Sequence, residues 1–472
     1  MAAEKIYSIN PVTRIEGNAK VSLFLENGGI KEARFHVTEF KGFEKYLEGR
    51  MVHETPRLTT RACGICPVSH HLAAAKATDD LFDVEIPETA EMLRELMHMG
   101  QFIHSHALHF FFLAAPDLIL GPDASPEERD LLGVFKADNN LVKNAIKMRA
   151  AGQEIIRTIG GKAIHPVSAI PGGMSYPLDP EDRDRLLKKT QEILPLTLEA
   201  MGTGRKLMNS LGEIIQLDSS AQTAYMGTVK ENGDLNLYSG FLRIAGKTGN
   251  IYEQFRPSTF ERYVAERTAP YTYLKFPYYK PLGMSEGIYR VGPLARINVA
   301  DKVPTTQAGQ FSEEFSEQFK KPAHQTFLYH LTRLIELVYA NERAIELLES
   351  KEITGKHIHN PIEMKSGEGV GVVEAPRGTL IHHYKSDSDG RIQEANLIVA
   401  TVQNNSGINQ SIKETAESCL KKKISEEGML SRVEMVIRAY DPCLTCASHT
   451  MGRMPLIIDI FDEAGPHRTI SR

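Results

Sequence analysis

Long apolar runs are missing from this sequence. None of its 472 residues lies in an uninterrupted stretch of the ~18 to 20 apolar residues that a membrane-spanning helix needs, and the most apolar run, Phe110 to Ala115, is far shorter. No membrane span is expected. A signal peptide is also not expected, because no apolar core follows Lys5 in the opening Met-Ala-Ala-Glu-Lys-Ile-Tyr-Ser, which makes the cytoplasm the expected location. Positive charge is not in excess either: the net charge is -5, so nucleic acid is not an expected partner. Internal repeats, low-complexity tracts and linkers are absent. The length admits one large unit or about three domains, and without linkers residues 1–472 read as a single domain.

Cysteine is scarce, with only Cys63, Cys66, Cys419, Cys443 and Cys446. An odd count arranged as two Cys-x-x-Cys pairs and one single suits a reduced compartment and metal or redox chemistry better than a disulfide framework. Cys419, in the helical pattern Ile412 to Lys421, is expected in the packed core.

Residues Lys20 to Leu25 and Ile30 to Val37 alternate apolar and polar around Glu26-Asn27-Gly28-Gly29, which predicts a β-hairpin. Helical periodicity then dominates Val68 to Gly212, most clearly at Pro87 to Ala114, Asn140 to Thr158 and Pro180 to Leu211. Asn232 to Val303, rich in Tyr, Gly and Pro, predicts short strands, and Gln310 to Ser350 predicts helix. Strand-like runs at Gly371 to Tyr384 and Ile392 to Val402 precede two further helices, the second ending directly before the second cysteine pair. The fold class is therefore α+β, predominantly helical, with a small N-terminal sheet, a long helical body and both chain ends folded back on one core.

The first pair stands in Arg61-Ala-Cys63-Gly64-Ile-Cys66-Pro-Val-Ser-His70 and the second in Asp441-Pro-Cys443-Leu-Thr-Cys446-Ala-Ser-His449. Each reads as a turn followed by a helix start, with Gly64 expected to permit a tight path. Two thiolates on such a loop converge on one soft cation, and four from two loops make an all-sulfur site. Spacing alone admits structural zinc, an iron-sulfur cluster or redox thiols. Two features weigh against zinc. Structural zinc staples pairs that are close in sequence, and it does not need the titratable company of Arg61, His70, Asp441 and His449.

The motif Arg-x-Cys-Gly-x-Cys-x-x-x-His, followed late in the chain by Asp-Pro-Cys-x-x-Cys-x-x-His, resembles the paired signatures of nickel-iron hydrogenase large subunits. Thr13-Arg-Ile-Glu16-Gly17, Lys41-Gly-Phe-Glu44 and Glu374-Ala-Pro-Arg377-Gly378 match further motifs of that family in order. The resemblance implies the family's large-subunit fold and a Ni-Fe centre with carbonyl and cyanide ligands on iron. Cys63 and Cys443 would be terminal nickel ligands, and Cys66 and Cys446 bridging ones. It implies reversible heterolytic oxidation of dihydrogen, with the metals as Lewis acid, a terminal thiolate as base and Glu16 relaying the proton from Cys443.

The same resemblance places Arg377 above the open side of the metals, and Asp117 and Asp441 near that arginine. Thr401 would donate to a cyanide, although Ala400 stands where the family has proline, and His70 would hydrogen-bond a bridging thiolate. Read without the family, Glu16 is a surface carboxylate, Arg377 closes a loop by a salt bridge, Asp117 ends a helix and Asp441 caps one. Glu44, His449 and the backbone carbonyl near Leu397 resemble the ligands of a magnesium ion; a solvated helix carboxylate is the plain alternative for Glu44. Two other signals are declined. His104, His106 and His109 lack the i, i+4 spacing of a helical metal pair, and Gly367-Glu-Gly369-Val-Gly371 leads into a strand pattern where a nucleotide loop leads into a helix.

With four cysteines assigned to the centre, Cys419 alone is too few for an iron-sulfur cluster in this chain, so an iron-sulfur small subunit is an expected partner. Phe40 to Arg50, Cys63 to His71 and the stretch from His104 look most like cytoplasmic methyl-viologen-reducing enzymes of methanogens, which work beside a heterodisulfide reductase, with a further electron-transfer subunit implied. The NAD-linked bidirectional hydrogenase is the alternative within the family, and a metal-free hydrogenase-like structural subunit the alternative outside catalysis. Residues 450–472 resemble an extension that an endopeptidase removes after His449, and Leu456 to Phe461 reads as a strand while it remains.

Overall fold

The computed structural model describes residues 6–125, 127–210, 212 and 220–448, together with the backbone of 457–462 and 465–471. Its first element is an antiparallel three-stranded sheet of Ile6–Ile9, Ala19–Glu26 and Gly29–Val37. The hairpin in it turns on Asn27 and Gly28, whose φ values of 52° and 80° are those a two-residue turn of type I′ needs. The expected hairpin is present.

The helices Pro67–Phe82, Glu88–Leu108, Asn139–Gly160, Pro180–Ser210 and Leu328–Glu349 form the body. Their apolar faces join one core cluster that also takes in the cysteine pairs, which is why both chain ends return to it. Glu88–Leu108 runs on through a π-helical turn, His109–Ala114, into Ala115–Leu120. This run is long and apolar enough to cross a membrane, but 72% of its most apolar window is buried inside the molecule. It is a core helix.

The middle folds into a four-stranded sheet of Tyr289–Arg290, Ala224–Val229, Phe241–Ala245 and Ile251–Phe255 beside a hairpin of Val264–Ala269 and Thr272–Tyr279. Gln310 to Ser350 is two helices, Thr306–Phe319 and Leu328–Glu349, because the chain between them carries Pro322.

A third antiparallel sheet orders Gly367–Ala375, Gly378–Ser386 and Ile392–Ile398. The expected single run Gly371 to Tyr384 is thus a hairpin, broken by Pro376 and Arg377 between the paired residues Ala375 and Gly378. Likewise Ile392 to Val402 stops being strand at Ile398, and Ala400–Gln403 is one helical turn. Alternate glycines of the first strand lie against the helix Pro67–Phe82. A Cβ on Gly369 would stand 2.2 Å from the carbonyl oxygen of Ala77, and one on Gly371 would stand 1.9 Å from that of Ala73. The Gly-x-Gly-x-Gly run is therefore a packing device that lets sheet and helix touch backbone to backbone.

The helices Asn405–Lys421 and Glu426–Ala439 follow, with Cys419 fully buried as expected. The chain closes with the paired strands Ile457–Asp462 and Gly465–Ser471. Leu456 lies outside the described residues.

Candidate metal centre

Each cysteine pair is delivered by a helix boundary. Cys66 is the residue before Pro67, which opens the helix Pro67–Phe82, and a proline at that position costs no hydrogen bond. Cys443 precedes the short helix Leu444–Ala447. The helix Glu426–Ala439 ends at Tyr440, and Asp441 takes a left-handed backbone with φ of 54° that reverses the chain. That conformation turns its carboxylate inward.

The four sulfur atoms lie within 4.8 Å of one another and all four residues are buried. Cys63 Sγ is 3.4 Å from Cys443 Sγ, Cys66 Sγ is 2.9 Å from Cys446 Sγ, and Cys443 and Cys446 are 3.0 Å apart. Hydrogen bonds from Cys443 and Cys446 hold the thiols of Cys63 and Cys66 below their ordinary range, that of Cys63 well below. Burial pushes those of Cys443 and Cys446 well above it. The first pair is the acidic half of the cluster and the second the basic half.

Glu16 reaches the basic half. Its carboxylate Oε2 accepts from the Cys443 thiol at 3.2 Å and from the Thr445 N–H at 3.0 Å, and its Oε1 accepts from the Thr445 hydroxyl at 2.5 Å. Backbone pairing fixes this approach, since Glu16 and Cys443 form a parallel bridge and Leu444 N–H donates to Glu16 O at 3.1 Å. Thr401 Oγ1 accepts from Cys443 N–H at 2.9 Å, which leaves its hydroxyl proton to donate.

Arg377 is buried at the tip of its hairpin and donates to Asp441 Oδ1 at 3.1 Å. Burial disfavours its charge, but Asp441 and the cysteines outweigh that and hold the guanidinium protonated. The turn beneath it is pinned by Arg296, which donates to the carbonyls of Ala375 and Pro376 at 2.9 and 3.2 Å. Arg296 is in turn clamped by Glu336, at 2.6 Å through two bonds, and by Glu374 at 2.7 Å. Burial alone would neutralise Glu336, yet Arg296 and then His106 hold its carboxyl below the ordinary range. Burial pushes His106 down to about 4, so it meets Glu336 at 2.9 Å as a neutral N–H donor. Removing one member of such a buried network costs about 3–5 kcal/mol, because the charge left behind is unpaired.

Several expected residues keep different company. Asp117 binds Arg14 and, at 2.8 Å, Arg438; among the described residues no hydrogen bond or ion pair joins it to Arg377. His70 Nδ1 meets His382 Nε2 at 3.0 Å, and His70 lines the small cavity that Cys66, Cys446, Arg377 and Thr401 also line. Glu44 Oε1 accepts the Leu397 N–H at 2.9 Å and lies 3.2 Å from Lys275 Nζ. His449 lies outside the described residues. Of the three expected magnesium ligands, the described residues hold Glu44 and Leu397 and bring them into hydrogen-bond contact. Gly64 also differs from expectation: its φ is not positive, and an added Cβ would meet nothing within 4 Å. Sequence reasoning passed over Thr445, Arg296, Glu336, His382 and Tyr384, whose partners are mostly far away in sequence.

The donor set suits a soft, thiolate-bound centre that also receives a polar ligand. Arg377 Nε and Nη1 and Asp441 Oδ2 are buried beside the thiols without a partner among the described residues, which a purely structural zinc staple would not require.

Comparison with known proteins agrees with that chemistry. A family profile described as nickel-dependent hydrogenase matches residues 41–125 and 198–449, and one described as HoxL-like matches residues 7–40. The vhc F420-non-reducing hydrogenase of Methanococcus voltae contributes a chain that is 45% identical, with 96% of this chain and 97% of that protein covered. NAD-reducing hydrogenase HoxS subunit beta of Cupriavidus necator is 39% identical, with 97% of each covered. The solved structure of an NAD+-reducing NiFe-hydrogenase in the H2-reduced state superposes with a TM-score of 0.91 at 40% identity, covering 94% of this chain and 99% of that one. Four clustered thiols at the two ends of one core, under an arginine and beside a glutamate, thus sit in a chain that belongs to the nickel-dependent hydrogenases, as the catalytic large subunit of a NiFe hydrogenase and an oxidoreductase acting on dihydrogen.

Proposed function

We propose that Cys63, Cys66, Cys443 and Cys446 hold a Ni-Fe centre whose iron carries carbonyl and cyanide ligands, and that Glu16 carries protons to and from Cys443. The observation that carries the proposal is the 3.2 Å contact between the Cys443 thiol and Glu16 Oε2 at the edge of the four-thiol cluster. When bound, the centre supplies the heterolytic splitting of dihydrogen and takes up its electron pair. The chain's own residues do the rest. Cys443, whose thiol is the more basic for its burial, holds the proton. Glu16 Oε2 lies within reach to accept it, and the Thr445 hydroxyl on Oε1 offers the next site outward. Arg377 keeps a fixed positive charge and two nitrogens, Nε and Nη1, that are unpartnered among the described residues, which suits it to polarise what enters the cavity it lines and to bond an anionic ligand. Thr401 has a hydroxyl proton to donate nearby.

Electrons leave through a partner, because Cys419 is the one cysteine outside the cluster and it is buried. We infer that this partner is an iron-sulfur small subunit, with a heterodisulfide reductase and a further electron-transfer subunit beyond it; the likeness to relatives named as one subunit of F420-non-reducing hydrogenases supports an assembly of several subunits. A second reading makes NAD the acceptor, favoured by the 40% identical NAD+-reducing structure. Elemental analysis with an assay of each acceptor tests both. Nickel and iron together are expected; zinc alone or no metal overturns the centre, and reduction of NAD by the purified complex selects the second reading. The segment after His449 is proposed to be removed once the centre is in place. An intact mass ending at His449 supports this, and a full-length, nickel-loaded, active chain overturns it.

A further inference from the structure

Behind His70 runs a line of buried side chains that the proton path through Glu16 does not use. His70 Nδ1 is 3.0 Å from His382 Nε2, and His382 Nδ1 is 2.6 Å from the hydroxyl of Tyr384. His382 and Tyr384 stand two residues apart on the strand Gly378–Ser386, and so on the same face of it. All three rings are at most 1% exposed. The strand places them there because its neighbour, Gly367–Ala375, lies flat on the helix that bears His70.

With one ring proton on each histidine, a chain of one phenol and two imidazoles has two internally consistent polarities. In one, Tyr384 donates to His382 Nδ1, His382 Nε2–H donates to His70 Nδ1, and His70 presents Nε2–H. In the other every bond is reversed, and His70 presents a lone pair. Both ends favour the first. The Tyr384 hydroxyl also meets Thr55, whose own proton goes to Val52 O at 2.8 Å, but an imidazole nitrogen at 2.6 Å is the stronger acceptor of the two; burial holds the hydroxyl well above its usual range, so it keeps the proton it donates to His382. At the far end His70 lines the cavity of Cys66, Cys443 and Cys446, where thiolates on a cation are anionic and accept an N–H.

We propose that His382 and Tyr384 are positioning residues that fix the tautomer of His70, so that its Nε2–H is held as a permanent donor towards the sulfur atoms. The inference rests on the reading of His70 as a hydrogen-bond partner of a bridging thiolate. The two rings act through His70 alone, and would tune the electron density of the sulfur without approaching it.

The test uses the full-length chain with 15N-labelled histidine, the His70 signals being identified by their loss in His70→Gln. The expected result is Nε2 protonated and Nδ1 bare in the unaltered chain, with that preference lost in Tyr384→Phe, which removes only one oxygen. His382→Gln is the informative partner, because a glutamine amide accepts from Tyr384 through oxygen and donates to His70 through nitrogen, in the same direction. His382→Leu can do neither. In the metal-loaded complex, His382→Leu should lose about 10- to 100-fold in nickel retention or turnover, while His382→Gln stays near the unaltered protein; a packing role would not rank them so. Nε2 bare in the unaltered chain, or equal loss in the leucine and glutamine variants, overturns the proposal. If His70→Gln itself leaves the nickel spectrum and turnover unchanged, the reading of His70 fails, a distinct result. Should His382→Leu not fold, Tyr384→Phe and the nitrogen signals still decide.

Discussion

The two cysteine pairs share a spacing and a metal site, yet they are built differently. Cys63 and Cys66 stand at the start of a 16-residue helix that is buried along nearly its whole length and lies against the sheet of Arg377. Cys443 caps and Cys446 lies within a four-residue helix, held from outside by Glu16 and Thr401. Their acidities part in the same sense. Hydrogen bonds lower the thiols of the first pair, and burial raises those of the second. One half of the centre is scaffold, and the other is where a proton can be kept and handed on. A shared Cys-x-x-Cys spacing therefore does not imply a shared task; the neighbours of each thiol assign it.

The harshest way to break this division is to remove one thiol from each half. Cys63→Ser and Cys443→Ser should both abolish dihydrogen activity with loss of nickel, and unchanged turnover in either would undo the assignment of four ligands. Glu16→Gln should act on the second half only. Turnover is expected to fall by about 10² to 10⁴, the usual loss for a general acid-base group, with nickel and iron content unchanged. Near-normal rates would mean that protons leave elsewhere.

A milder test reads the acidities directly. In the metal-free chain thiolate absorbance should rise in two stages with pH, Cys63 and Cys66 ionising first, because their pKa values are lowered, and Cys443 and Cys446 last, because theirs are raised. Either double serine variant should bring its remaining two thiols closer together in pH, because each pair's shift depends on hydrogen bonds with the other. A single unbroken stage in the unaltered chain would show that the halves are not distinct. Smallest of all, Gly64→Ala should change stability by no more than about 0.5 kcal/mol, since its Cβ meets nothing within 4 Å. A large loss would show that the first loop needs glycine after all.

Elements with local causes were legible in advance. Asn27-Gly28 announced the hairpin, and apolar periodicity announced the long helices. The break at Pro376-Arg377 was hidden because a two-residue turn between two apolar strands leaves little polar signal. Motif residues could be named from their order along the chain, and Glu16 and Cys443 do meet. Partners without a motif could not be found: His382 is 312 residues from His70, and Glu336 is 40 from Arg296. Asp117 shows the converse limit, since its position was evident but its choice of Arg14 and Arg438 depends on which guanidinium groups the fold brings within reach.

The bridge between Glu16 and Cys443 also governs when this protein can first work. The two residues are 427 positions apart, and closing such a span in an unstructured chain costs on the order of 5 kcal/mol in entropy. The folded body between them removes most of that cost, so the body must form first. During synthesis Glu16 emerges 427 residues ahead of Cys443. A nascent chain thus carries the first half of the thiol cluster for 380 residues before the second half exists, and the complete centre waits for the second pair.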